Sequence, residues 1–517
     1  MATEGLRALL LTATALLVPV AGHAQGRPLS AIDWLSDTVA RPAPRVVPEA
    51  PVRPLGAPEA IVTTPLSARN LDGVGVLSVK TTGMDPQFWA RSDAEVLKAK
   101  LRDEGPEPLP ALRDLIQMLM LAEVDPPMHS DGQGGFLLAR IDRLLSFGAL
   151  EAAQELITAA GPPTPDLFRR AFDIALLLGT EDRACAAQRA SPRISPTLSA
   201  RIFCLARGGD WGAAELTLAT AQALGHVSEE EVQILRRFIR PEAYEDEEPL
   251  PPPARVTPLN LRLYEAIGEA LSPSGQPLAF AHGDLTPATG WKAQIEAAER
   301  LARTGGIAPA QLFRLYTERR AAASGGVWSR VQAVQSFERA LSGAAPEKAA
   351  SALKTAWTEM ASMELEVPFA EHYAARIAAH PWPEGEAQEL AFRLRLLSAD
   401  FANLLPEDVP PSEEAAFLAG LAQGRATTAP PPDNLARAIA RAFPGAGEPP
   451  LPSGAAQGLM RDGRMGEAAL MAIDQVTVGA LGELRTVTEG LVTLRRLGFE
   501  TAARKAALQL LILERRG

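Results

Sequence analysis

From Ser92 almost to the C-terminus, apolar positions recur every three to four residues, the spacing that lines one face of an α-helix. Ser92-Asp93-Ala94-Glu95 has the form of a capping box, in which side chains satisfy the orphaned N–H groups of a helix start. The period predicts helices over 93–103, 109–123, 136–147, 150–160, 166–178, 182–190, 197–206, 211–224 and 229–238. It resumes over 259–271, 291–303, 309–323, 328–341, 346–363, 367–380, 384–401, 413–423, 435–443, 455–461, 465–476, 481–497 and 499–514. Helices this short stack as pairs more readily than they form one bundle. Strand-like text is confined to 61–79, where IVTTPL and VGVLSV suit either a small hairpin or an extended strap, within a segment 61–91.

Composition agrees with an all-α chain. The residues are 47% hydrophobic but only 5% aromatic. The apolar set leans on Ala and Leu, the strongest helix formers. A length of 517 residues exceeds one compact core, so two or more units are expected. The 44 prolines and 41 glycines collect between the helical stretches. The sharpest interruption is the acidic, Pro-rich 240–258, RPEAYEDEEPLPPPARVTP, read as a linker between a helical region 92–239 and another over 259–517. Within it Glu245–Glu248 reads as a solvated run. The net charge of −11 excludes the basic stripe that nucleic acid requires.

The N-terminus reads as an address. Arg7 precedes an apolar run, Ala8–Ala21, and Gly22-His23-Ala24 offers small residues at a cleavage point after Ala24. No cysteine stands there for a lipid anchor, and no later stretch reaches the apolar length of a membrane span. A cleaved, soluble protein of the periplasm is the expectation. In the following segment, 25–60, Ser30–Val39 forms a short amphipathic element with Ile32, Leu35 and Val39 on one face, followed by a Pro-rich tether. Such an element docks on its own protein or serves as a linear motif for a partner. Ile32, Trp34 and Leu35 are the candidate partner-binding residues. The two cysteines, Cys185 and Cys204, are 19 residues apart with Pro192 and Pro196 between them. A disulfide between antiparallel helices and a pair of inert buried thiols both fit.

Candidate chemistry is sparse. None of the six histidines belongs to an HExxH or a Cys/His constellation, and no GxSxG occurs. His372 and His380 stand two helical turns apart, too far to share a metal from one helix. His129-Ser130-Asp131 has the residue types of a triad, but neighbours in sequence seldom achieve its geometry. Asp131–Gly135 lacks the lysine of a phosphate loop. Gly458-Leu459-Met460-Arg461 resembles a fragment of the lytic transglycosylase motif but lacks its Glu-Ser. Trp211, Trp291, Trp328 and Trp357 lie at helical spacing to apolar residues and are expected at hairpin junctions, and Phe88-Trp89 as a lid on the first helix pair. No metal and no cofactor is implied.

Four turns share a pattern. Gly148, Gly209, Gly463 and Gly498 each follow a leucine by four residues (Leu144, Leu205, Leu459, Leu494). Each precedes an alanine by five (Ala153, Ala214, Ala468, Ala503), and Ile141, Ile202, Ala456 and Leu491 stand seven before. This spacing resembles the turn between the two helices of a tetratricopeptide repeat, over roughly a quarter of the chain. Gly463 and Gly498 are 35 apart, near one repeat, but Gly148 and Gly209 are 61 apart, and the usual Trp and terminal Pro positions are missing. The resemblance implies an α-solenoid of stacked hairpins whose concave groove holds peptides or protein domains. The expected function is a periplasmic, non-catalytic interaction or scaffold protein that binds an envelope protein. The alternatives are a cell-wall-acting hydrolytic or lytic enzyme using carboxylates in a cleft, and small-ligand capture.

Overall fold

The computed structural model describes Ile32, Trp34, Leu35 and residues 70–513, apart from 104, 196, 273–274, 344, 426–428, 446–447 and 453. The expected leader with its cleavage point, the Pro-rich tether and the IVTTPL text lie outside these residues. Among the described residues the chain is all-α, with 23 α-helices, short 3-10 turns and no β-strand. The helical period placed these elements closely: Leu150–Ala160 and Trp291–Arg303 have the expected bounds. The expected helix over 259–271 stops at Ala266, because Gly268 takes a left-handed φ of 81° and the Glu269 N–H folds back to Tyr264 O. The 3-10 segment Leu278–Leu285 has no helical period and was not foreseen.

All four turn glycines have a left-handed φ, between 72° and 91°. In each turn the residue after the glycine donates to the carbonyl of the leucine four before it: Ala149 to Leu144, Asp210 to Leu205, Arg464 to Leu459 and Phe499 to Leu494. This is the six-to-one bond of a Schellman end, which satisfies an orphaned carbonyl and needs a residue tolerant of that φ. The four alanines that follow are fully buried. Hairpins therefore close tightly where leucine, glycine and alanine keep this spacing.

The VGVLSV text forms no strand. After a 3-10 turn, Leu71–Gly73, residues 74–78 run against the end of helix Pro110–Leu121, where the Val76 and Leu77 N–H groups both donate to Leu121 O and Leu77 O accepts from Glu123 N. Two buried charges fasten this strap. Asp72 Oδ1 accepts from the N–H groups of Phe136 and Leu137, capping helix Gly135–Ser146, whose own N-cap is a glycine with no side chain to do so. The Arg140 guanidinium donates to the carbonyls of Met120, Val74 and Ala122. Its burial pushes the guanidinium down to about 10, so it stays charged at neutral pH.

Two hydrophobic cores result. The larger draws on residues from Trp34 to Leu513, and the smaller on residues from Phe168 to Tyr264. Helix Pro165–Leu178 is a shared wall, giving Leu167, Ile174 and Leu177 to one core and Phe168, Phe172 and Leu176 to the other. Residues on both sides of 240–258 build the smaller core. That stretch is itself pinned: Arg237 donates to Glu248 O and pairs with Glu247, and the Tyr264 hydroxyl donates to Pro251 O.

The stack of hairpins closes on itself. Trp89 is fully buried, edge-on to Phe136 at 5.4 Å and against Gly466, while Phe88 meets the Phe499 ring at 5.7 Å. Gln509 Oε1 accepts from the Ala111 N–H at 2.9 Å, tying helix Glu500–Ile512 to the start of helix Pro110–Leu121. The Gly148 turn enters the middle of the chain, with its carbonyl 2.7 Å from buried His282 Nε2 and Phe147 O accepting from the Thr304 hydroxyl. Phe88-Trp89, expected as a lid on the first helix pair, instead packs on Phe136 of helix Gly135–Ser146 and joins it to the last helices.

Candidate functional site

Helix Trp211–Ala223 is apolar on both of its faces. Ala214, Leu218 and Ala221 face inward and are buried against their neighbours in the smaller core. On the opposite face Leu216 is 70% exposed and Leu224, at the helix end, 63%, with Ala219 and Ala223 exposed between them. A helix that is hydrophobic all round is ordinarily covered on every side. Here the outer face meets water. Trp211, expected at a packed hairpin junction, is 48% exposed beside Phe238, whereas Trp291 is buried with its Nε1 donating to Leu315 O. Both open their helices, and the difference lies in their neighbours: the Trp291 ring meets Trp328 at 5.1 Å and its N–H finds a carbonyl, whereas the Trp211 ring meets Phe238 at 6.4 Å.

Next to this face, a groove of about 320 Å³ opens between helices Trp211–Ala223 and Glu229–Ile239. Leu218, Ala219, Ile239 and Tyr244 line it, and the Arg240–Glu215 pair stands at its rim, 2.7 Å apart. The unit carrying the groove is stapled. Cys185 and Cys204, one on each of helices Glu181–Ala190 and Leu198–Arg207, form a buried disulfide.

The candidate partner-binding residues sit elsewhere. Trp34 and Leu35 are 7% and 1% exposed, and Ile32 is half-buried. The Trp34 ring stands edge-on to Phe280 at 5.4 Å, the Leu35 carbonyl accepts from Arg169 Nη2 at 3.3 Å, and the Leu35 N–H donates to Ile32 O in a tight turn. The seat therefore joins helix Pro165–Leu178 to the 3-10 segment Leu278–Leu285.

A third feature is a charged cluster. Asp114, Glu371 and Lys505 come from helices Pro110–Leu121, Glu366–Ala378 and Glu500–Ile512, far apart in sequence. Both carboxylates are open to water, yet desolvation is the largest influence on each and raises it above the usual carboxylate range. The Asp114 charge raises Glu371 further, while Lys505 opposes the shift in both, as does Arg113 in Asp114.

Raised in the fold above its unfolded value, Asp114 lends stability that is full below the unfolded pKa and is lost as pH rises through the folded one. An Asp114→Asn variant is therefore expected to melt higher than the parent at pH 7–8. The advantage should vanish as pH falls below the ordinary carboxylate range, read by thermal denaturation at several pH values. An unchanged difference at acid pH would contradict the assignment.

The residues that resembled catalytic types have structural partners. His129 Nδ1 lies 2.8 Å from Asp93 Oδ2, an interaction that holds the Asp93 carboxyl below its usual range. The Ser130 hydroxyl donates to Asp72 at 2.5 Å, and Asp131 accepts from the Gln133 N–H within its own loop. His372 stacks on Phe313 at 4.7 Å, and His380, just beyond the same helix, meets Trp382. Gly458–Arg461 is the end of a short helix. Among the described residues no three His, Cys, Asp or Glu side chains gather as a metal-binding group, and no helix is long and apolar enough to cross a membrane. No family model, curated protein or solved structure matches this chain.

The outer face of helix 211–223 was legible as a helix but not as a surface. Its apolar residues recur on both sides, and periodicity alone assigns such a helix to an interior.

Proposed function

We propose that this chain is a non-catalytic interaction protein of the periplasm that holds an envelope protein on the outer face of helix Trp211–Ala223 and the groove beside it. The observation that carries this is the exposed pair Leu216 and Leu224 on a helix whose other face is already buried. Uncovered apolar surface of this kind marks a binding site, and a stapled unit holds it ready without an ordering cost on binding. The Cys185–Cys204 disulfide and the leader-like Ala8–Ala21 run support an exported location. The shared geometry of the four glycine turns supports a tetratricopeptide-like architecture.

The test is recovery of a stoichiometric partner from the protein's own envelope by the wild-type chain and by a Leu216→Asp/Leu224→Asp variant. The variant is expected to lose the partner while its melting temperature stays within about 2 °C, since exposed substitutions usually change stability by under ~0.5 kcal/mol. Equal recovery by both proteins, or none by either, would refute the proposal.

A second reading is a hydrolytic or lytic enzyme acting on the cell wall, favoured by Asp114 and Glu371, neighbouring carboxyls whose raised values suit a general acid. It predicts release of soluble fragments from isolated cell wall, abolished by Asp114→Asn or by Glu371→Gln. Absence of any release by the wild-type protein removes it.

A further inference from the structure

We propose that the seat holding Trp34 and Leu35 is a peptide-recognition site whose built-in occupant is the chain's own N-terminal segment. The partner it fits is a protein segment presenting an aromatic–aliphatic pair in a tight turn. The inference rests on the proposed interaction role and adds to it a second site with its own regulation.

The occupant itself defines the chemistry. An edge-on aromatic contact from Phe280 receives the indole, a closed apolar surface receives Leu35, and the Arg169 guanidinium takes the peptide carbonyl. A main-chain bond, an aromatic contact and an aliphatic contact are the elements by which short linear segments are recognised. In the sequence, 34 residues separate Leu35 from Asn70. Covalent attachment makes the built-in occupant an intramolecular ligand and so favours a filled site. A partner segment of the same type then competes with the attached one, and helix Pro165–Leu178, shared by both cores, feels the exchange.

The experiment titrates a fluorescein-labelled peptide of residues 30–39, SAIDWLSDTV, into the full chain and into a Trp34→Ala/Leu35→Ala variant, reading anisotropy. The vacated variant is expected to bind the peptide at least tenfold more tightly than the wild-type chain. A peptide with alanine at both positions should bind neither. Equal affinity for both proteins overturns the proposal, as does absence of binding to a double variant with an unchanged circular dichroism spectrum. If the double variant does not fold, Leu35→Ala alone serves, with a smaller but same-signed gain expected and no gain overturning the proposal. Light scattering on the wild-type chain is expected to show no dimer that the labelled peptide dissociates; such a dimer would make a second copy the occupant and overturn the built-in one. A folded double variant that binds no peptide yet still recovers the partner lost by Leu216→Asp/Leu224→Asp ends this inference and leaves the proposed function standing.

Discussion

A Gly466→Leu variant is expected to lose the junction between the first and last helices, lowering the first thermal transition by on the order of 10 °C. A side chain there would begin 2.1 Å from the buried Trp89 ring, at Cε3, and 2.4 Å from Cζ3. Neither partner can give way. The indole is enclosed between Phe88 and Phe136, and the Gly466 N–H is already committed to Phe88 O at 3.1 Å. Removing the indole instead, by Trp89→Ala, should cost about 3–5 kcal/mol, the range for a buried aromatic truncated to alanine. At about 2–4 °C per kcal/mol for a large unit, both variants should show shifts of similar size. Gly458→Ala is the control: a methyl group there meets nothing within 4 Å, so no loss of stability is expected. Differential scanning calorimetry of the three proteins decides the matter, and a Gly466→Leu trace matching the Gly458→Ala trace would exclude the junction.

The second large effect is expected at the staple. Replacing Cys185 and Cys204 together by alanine should destabilise the smaller core by about 3 kcal/mol, the loop-closure entropy for a cross-link of this span. The loss should be local. The smaller core is built from residues between Phe168 and Tyr264, so hydrogen exchange should quicken there while helices Met465–Gly479 and Leu484–Arg496 keep their protection. A thiol titration of the denatured wild-type protein should find no free cysteine before reduction and two after it. Two titratable thiols before reduction would contradict the bridge.

These expectations separate what local sequence can reveal from what it cannot. Helices and their ends follow from periodicity and turn chemistry, both written within a few residues. The Leu-Gly-Ala spacing around Gly148, Gly209, Gly463 and Gly498 was readable because one Schellman bond explains it each time. The cysteine pair was readable as a permissible bridge for the same reason, its span being short. The capping of helix Gly135–Ser146 was not, since the cap is Asp72, 63 residues before the helix starts. Nor was the junction at Trp89, whose partners Phe136 and Gly466 lie far along the chain. Both depend on non-local contacts, and period and composition say nothing about which helices meet. The Ser30–Val39 segment showed an apolar face with two possible destinations, and coordinates were needed to seat Trp34 against Phe280. For function, the exposed face of helix Trp211–Ala223 was hidden by its own uniform hydrophobicity. The charged cluster was hidden because Asp114, Glu371 and Lys505 are unremarkable until three helices bring them together.

Closure of the stack is the feature on which the account of the fold depends, because it ties the first helices to the last. The most direct test is hydrogen exchange on a chain ending at Gly498, which lacks Gln509 and Phe499. Closure predicts that amides of helix Pro110–Leu121, some 400 residues away in sequence, lose protection together with those of Trp89. Protection unchanged at 110–121, with loosening confined to the helices preceding residue 498, would show an open stack and contradict the account.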